Sequence, residues 1–320
     1  MPRRTALTLC LVLATLLVVA RTVPFMAPGV RFDADQAVVG LMAKHISEGR
    51  AFPLFFYGQS YLLAVEAYLA APVMWLLGPT EVALKLPLLA MNVATVLLLV
   101  WRAHRDLGLA PWALALTVAG LVCGALSMRR QAPARHAGIP GTALPGYLVA
   151  VGVLSTLVYG FVACSQLSQA TLRYELLLLF LPAGALLAGL RWPVPAARAG
   201  LVTAALLWAG LNLSDYLALA GEIRSGRWPD RRGEAMRALE ARGFDTLWGD
   251  YRLAYVLSFR SQERLKVAAL TVHRVDEYAR LAAARDVPLV KQGLCADGTE
   301  FVPGIWLCPP PAPAERPPVY

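Results

Sequence analysis

Seven apolar stretches dominate this chain, at about residues 5–24, 60–78, 82–101, 109–127, 144–164, 174–190 and 199–219. Each approaches the ~20 residues a helix needs to cross a bilayer. Of the 320 residues 58% are hydrophobic and only 16% charged, where a soluble domain usually carries about 25% charged residues. The expectation is a polytopic α-helical membrane protein of about seven spans with a small C-terminal α/β domain.

A net charge of +9 raises the question of nucleic acid, but the arginines sit at the ends of apolar runs and form no basic stripe, which excludes that partner class. Their placement also orients the chain. Arg3 and Arg4 put the N-terminus in the cytoplasm, and alternation then sends residues 25–59, and everything after about residue 220, to the other side. The implied location is the inner (plasma) membrane, multi-pass, with the C-terminal domain extracytoplasmic and the lipid bilayer as a partner. The expected division is a membrane module over 1–220, an α/β domain over 221–308 and a disordered proline-rich tail over 309–320.

Within the first outer loop, Gln36 to Glu48 places Ala37, Val38, Leu41, Met42 and Ile46 on one side and Lys44, His45 and Glu48 on the other. This spacing predicts an amphipathic helix able to lie in the membrane interface, ended by Gly49-Arg50. Phe52 to Tyr57 is aromatic and suits headgroup depth. After residue 221 the pattern changes. Helices are predicted over Arg232–Arg242, Tyr251–Phe259 and Val275–Ala284. Strands are predicted over Phe244–Trp248, Leu265–Leu270, Val287–Val290 and Phe301–Leu307, giving a partly parallel sheet. No glycine-rich dinucleotide fingerprint is present.

Cys10, Cys123 and Cys164 lie in apolar runs and read as small buried hydrophobes. Cys295 and Cys308 flank the turn-forming Ala296-Asp297-Gly298-Thr299. They are either a disulfide in an exported segment or two free thiols. No zinc-type spacing of Cys and His occurs.

Asp33 and Asp35 stand just outside the first apolar run. From spacing alone, two solvated loop acids account for them; their functional reading is a general base or a metal ligand. Two acids at i, i+2 can point to different partners, so that one works while the other positions it.

The surrounding sequence adds a resemblance. Phe32-Asp33-Ala34-Asp35-Gln36-Ala37-Val38-Val39-Gly40, Gly49, Phe52-Pro53-Leu54-Phe55-Phe56-Tyr57-Gly58-Gln59 and Glu66-Ala67-Tyr68 together resemble the N-terminal signature of GT-C membrane glycosyltransferases. More narrowly, they resemble the bacterial branch related to dolichyl-phosphate-mannose protein mannosyltransferases. The resemblance covers roughly residues 30–90. It implies transfer of a sugar from a polyprenyl phosphate to a glycan, lipid or protein acceptor at the outer membrane face. Asp35 would be the base for the acceptor hydroxyl, assisted by Asp33. Arg173-Tyr174 resembles the Arg-Tyr that opens a late span in that family, which places Arg173 near the phosphate. Lys44, Tyr57, Gln59 and Glu66 are further candidate substrate-binding residues, with His45 and Arg50 as additional cations at headgroup depth. For Lys44 and Arg50 the competing reading is interfacial snorkelling, for His45 a surface position on the amphipathic helix, and for Tyr57 and Gln59 anchoring at the interface; for Glu66, which lies in a predicted span, it is a structural partner. Trp248 to Phe259, with Glu263-Arg264, looks like the outer C-terminal domain of the same branch and carries no implied chemical role.

No cofactor is implied with certainty; a divalent metal is the one open expectation. Two departures from the family stand out. Gln36 replaces the acid of the usual Asp-Glu pair, and the chain is short between its early spans and Arg173. Both point to the alternative of an inactive, shortened relative that binds lipid or a partner.

Overall fold

The computed structural model describes residues 3–30, 32–107, 214, 216–226 and 230–316. It resolves into two compact units. One comprises Met1–Arg21 and Asn92–Leu219, the other Thr22–Met91 and Ala220–Tyr320.

In the first unit the described elements are α1 (Arg3–Thr22), the second half of α4 (Glu81–Leu107) and a short helical run from residue 216. Leu11, Val12, Thr15 and Leu16 of α1, with Leu97, Leu98 and Trp101 of α4, line an open apolar groove of about 440 Å³. The Tyr216 hydroxyl donates to the Ala20 carbonyl.

The second unit joins the expected outer loop to the expected C-terminal domain around one hydrophobic core. Its helices are α2 (Ala34–Ser47), α3 (Val65–Leu77), the start of α4, α5 (Arg231–Ala241), α6 (Tyr251–Arg260) and α7 (Asp276–Ala283). Its strands are β1 (Thr246–Gly249), β2 (Lys266–Ala269), β3 (Leu289–Gln292), β4 (Thr299–Val302) and β5 (Ile305–Cys308). The sheet order is β2-β1-β3-β5-β4. β1 pairs in parallel with β2 and β3, while β5 pairs antiparallel with β3 and β4. The parallel half is built by helical crossovers through α6 and α7, the connection parallel strands require.

Local chemistry starts the helices. Asp33, Asp230 and Asp250 cap α2, α5 and α6 by accepting hydrogen bonds from the backbone N–H of Gln36, Gly233 and Leu253. α6 is buried along seven consecutive residues, Leu253 to Phe259, because the sheet covers one side and α2 the other. A helix apolar all round belongs in such a place. Gly40 makes the α2–α6 approach possible, since a Cβ there would meet the Phe259 ring at 2.6 Å.

The structure corrects the expected seven-span architecture. Among the described residues one helix is long and apolar enough to cross a membrane, over Glu81–Leu98 within α4. In α1 the apolar stretch Leu7–Ala20 is shorter. The expected span at 60–78 is also too short. Its first residues form the return arm of a loop, where Phe55 bridges Leu63 and Ala64 donates to the Leu54 carbonyl, leaving α3 with 13 residues. Such a helix is about 20 Å long against a hydrocarbon core of about 30 Å. The expected spans at 109–127, 144–164 and 174–190, and nearly all of 199–219, lie outside the described residues.

The interfacial helix is corrected as well. α2 carries the apolar face read from its sequence, but protein covers it: Val38, Leu41 and Met42 are fully buried in the core of the unit. The segment 309–316 is ordered, ending in a short 3-10 helix (Pro313–Glu315), with Arg316 ion-paired to Asp286.

Cys295 and Cys308 form a disulfide. It closes a loop with a sequence separation of 13, so its removal is expected to cost about 2–4 kcal/mol by releasing the unfolded chain. Urea unfolding of Cys308→Ser should show a midpoint lowered accordingly, and reduction of the native protein should reproduce it. An unchanged midpoint in both would contradict this.

Candidate functional site

Asp33 and Asp35 do point to different partners. Asp33, extended before α2, holds the helix start through its hydrogen bond from the Gln36 N–H at 2.9 Å. Asp35, in the first turn and half-buried, turns toward α6, where its Oδ1 accepts from the Tyr251 hydroxyl at 2.7 Å. Burial, reinforced by that hydrogen bond to Asp35, pushes the Tyr251 phenol up to about 12. Tyr251 therefore keeps its proton at neutral pH and acts as donor to the carboxylate.

Arg274, in the β2–α7 loop, completes this cluster. Its Nε donates to the Tyr251 oxygen at 3.4 Å, and its Nη1 donates to the carbonyls of Tyr57 and Gly58 at 3.3 and 3.1 Å. The guanidinium lies over the rings of Phe56 and Tyr251, 5.2 and 5.7 Å from their centroids. Both contacts fall within cation–π range. The loop is fixed from α6: the Tyr255 hydroxyl accepts from the Arg274 backbone N–H at 2.7 Å and donates to the Val272 carbonyl at 3.0 Å.

A second cluster gathers the cations expected at headgroup depth. Lys44, His45 and Arg50 all converge on Glu263, joined by the Tyr278 hydroxyl at 2.7 Å. The Lys44 and Glu263 side chains are only 8% and 6% exposed. Burial alone would raise the Glu263 carboxyl, but hydrogen bonds from His45, Lys44 and Tyr278 overcome it and hold the group well below the ordinary glutamate range. Gln262 and Glu263 both adopt left-handed backbone conformations, with φ of 55° and 66°. Two such non-glycine residues in succession are strained, and the ion pairs beneath α2 hold them together with backbone hydrogen bonds to the Phe259 and Ser258 carbonyls. Lys44 and Arg50 are thus spoken for by protein, which removes the interfacial snorkelling reading.

The remaining candidates divide. Tyr57 touches both clusters: its hydroxyl meets His45 Nδ1 at 2.8 Å, and its carbonyl accepts from Arg274. In the tautomer that donates Nε2–H to Glu263, Nδ1 accepts from Tyr57, whose phenol burial pushes up to about 12. Gln59 is half-buried in the turn after Phe56, its N–H donating to the Phe56 carbonyl at 2.9 Å. Glu66, in the first turn of α3, is half-buried; burial and the charge of Asp33 raise its carboxyl above the usual range. Arg173 lies outside the described residues. Among the described residues no cluster of three or more His, Cys, Asp or Glu side chains is placed to hold a metal ion.

A third set of contacts fastens the start of α4. Arg260 pairs with Glu81 at 2.9 Å and with both Asp230 oxygens at 2.6 Å, while Glu81 accepts from the Gly29 N–H at 3.0 Å.

Tyr251 and Glu263 stand in a stretch the sequence singled out without a chemical role, and Arg274 was not singled out. Their partners on α2 and in the following loop lie more than 200 positions away, as with Asp35 and Tyr251 (separation 216). No local signal could have joined them. No protein-family model matches the chain, and neither does any curated protein or any solved structure.

Proposed function

We propose that this protein is a membrane-associated glycosyltransferase that moves a sugar from a polyprenyl-phosphate donor to an acceptor hydroxyl at the extracytoplasmic face of the plasma membrane. The observation that carries the reading is the placement of Asp35 in the Asp35–Tyr251–Arg274 cluster, added to the signature over residues 30–90. The half-buried carboxylate is oriented by a protonated phenol that an arginine steadies in turn. In the reaction Asp35 takes the acceptor hydroxyl proton. The acceptor oxygen bonds to the anomeric carbon, and the bond from that carbon to the phosphate oxygen breaks with its electron pair on the phosphate.

Two features support the location. The Cys295–Cys308 disulfide suits an oxidising, extracytoplasmic compartment. The loop before α3 and the outer face of α3 present large apolar side chains, Tyr61 at 79% and Trp75 at 73% exposure among them, and such a surface suits contact with lipid.

One observation favours a second reading, a binding protein without turnover. Lys44, His45 and Arg50 are committed to Glu263, and Gln36 stands where the related enzymes carry an acid. Membranes containing the protein, supplied with polyprenyl phosphate bearing a labelled sugar, decide between them. Protein-dependent loss of label from the lipid phosphate is the expected result. Binding of the labelled lipid with no loss of label would establish the second reading instead.

A further inference from the structure

With three expected cations engaged on Glu263, the leaving phosphate of the proposed reaction needs another positive group. From the geometry we infer that Arg274 is the phosphate-binding cation of this site, recognising beside Asp35 the phosphodiester of a prenyl-linked sugar donor, which leaves as the prenyl monophosphate. The inference rests on the glycosyl-transfer reading and names the residue that reading otherwise lacks among the described ones.

Four observations carry it. Among the described residues Arg274 pairs with no carboxylate: its side chain meets two backbone carbonyls, a phenol oxygen and two aromatic faces. Neutral partners leave its full charge available, unlike Arg50 and Arg260, which face carboxylates. Second, the guanidinium is one phenol away from the Asp35 carboxylate, through contacts of 3.4 and 2.7 Å. A general base and a leaving-group cation must both lie near one reacting carbon, and these contacts hold the two groups on opposite sides of a single phenol oxygen. Third, Arg274 is only half-buried, so solvent reaches part of the residue, while its backbone is locked by Tyr255. Such preorganisation is what electrostatic stabilisation of a developing charge requires. Fourth, the loop of residues 52–63 is shaped to receive it. Gly58 has φ of +68°, and a Cβ there would lie 2.8 Å from the His273 carbonyl oxygen and 3.3 Å from Arg274 Nη1. Only glycine lets the Tyr57-Gly58 backbone approach Arg274 this closely.

The test uses the full-length protein in lipid nanodiscs, with a polyprenyl monophosphate, the corresponding neutral polyprenol and inorganic phosphate as probes. Arg274→Gln should weaken monophosphate binding about tenfold or more, the usual scale for losing charge-assisted hydrogen bonds, and leave polyprenol binding unchanged. Arg274→Lys should retain much of the affinity. Equal monophosphate affinity in the native protein and Arg274→Gln would overturn the assignment. So would parallel loss of monophosphate and polyprenol binding, which marks a purely structural role. Inorganic phosphate competing as well as the lipid would overturn the prenyl-linked part. If the native protein binds no monophosphate at all, the glycosyl-transfer reading itself fails, a result distinct from the others.

Discussion

Asp35→Asn is expected to lower sugar transfer from polyprenyl phosphate by about 10²- to 10⁴-fold, the range of a lost general base. Asparagine keeps an oxygen where Tyr251 donates its 2.7 Å hydrogen bond, so the α2–α6 contact should survive and the unfolding midpoint should move little. The two readouts together separate chemistry from fold. Asp33→Asn should behave differently, because Asp33 serves as the cap of α2. Asparagine is as good a cap as aspartate, and transfer should fall far less than in Asp35→Asn. Undiminished transfer in Asp35→Asn would remove Asp35 from the mechanism.

Glu263→Ala is expected to destabilise the second unit by about 3–5 kcal/mol, the usual cost of stranding buried charges. The variant leaves Lys44, His45, Arg50 and Tyr278 without their shared acceptor, and it removes the side-chain contacts that help hold the turn at Gln262-Glu263. The native protein should show a matching acid sensitivity. The folded carboxyl of Glu263 is held below its ordinary value of 4.5. Its contribution is therefore complete above that value and fades as pH falls from about 4.5 into the strongly acid range. Glu263→Gln, which cannot ionise, should lack that part of the acid transition. Denaturant unfolding across pH 7 to pH 3 measures both effects. A loss below about 1 kcal/mol at pH 7 for Glu263→Ala would contradict the role of Glu263 as the joint between α2 and the sheet domain.

These effects lie at long-range contacts, where the sequence is least legible. Local signals served well elsewhere. The helix expected over Tyr251–Phe259 is α6, ending one residue later at Arg260, and the strand over Leu265–Leu270 contains β2. Capping aspartates and regular periodicity mark such elements from within. β3 is displaced, occupying Leu289–Gln292 and not Val287–Val290, because its register is set by β5, with Leu289 opposite Cys308. The single strand expected over Phe301–Leu307 is two strands turning between Val302 and Ile305. The Pro303-Gly304 dipeptide was the local signal for that turn, and Gly304 takes a left-handed φ of 80°.

The amphipathic pattern of α2 was correctly visible and wrongly partnered. An apolar stripe records that a helix must cover one face, but not whether lipid or protein covers it. Here α6 and the core take that role, and Lys44 turns to Glu263. The same ambiguity produced the span expected at 60–78. An apolar run of near-bilayer length divides between a loop arm and the short α3, because composition alone does not reveal a chain reversal at Tyr57-Gly58.

The most direct test of the account is photo-crosslinking with a polyprenyl-phosphate sugar carrying a reactive group on the sugar, followed by mass-spectrometric mapping of the full-length protein. Label is expected on the peptides containing Asp35, Gly58 and Arg274, suppressed by excess unlabelled donor. Specific label confined to other peptides, with none on these three, would contradict it.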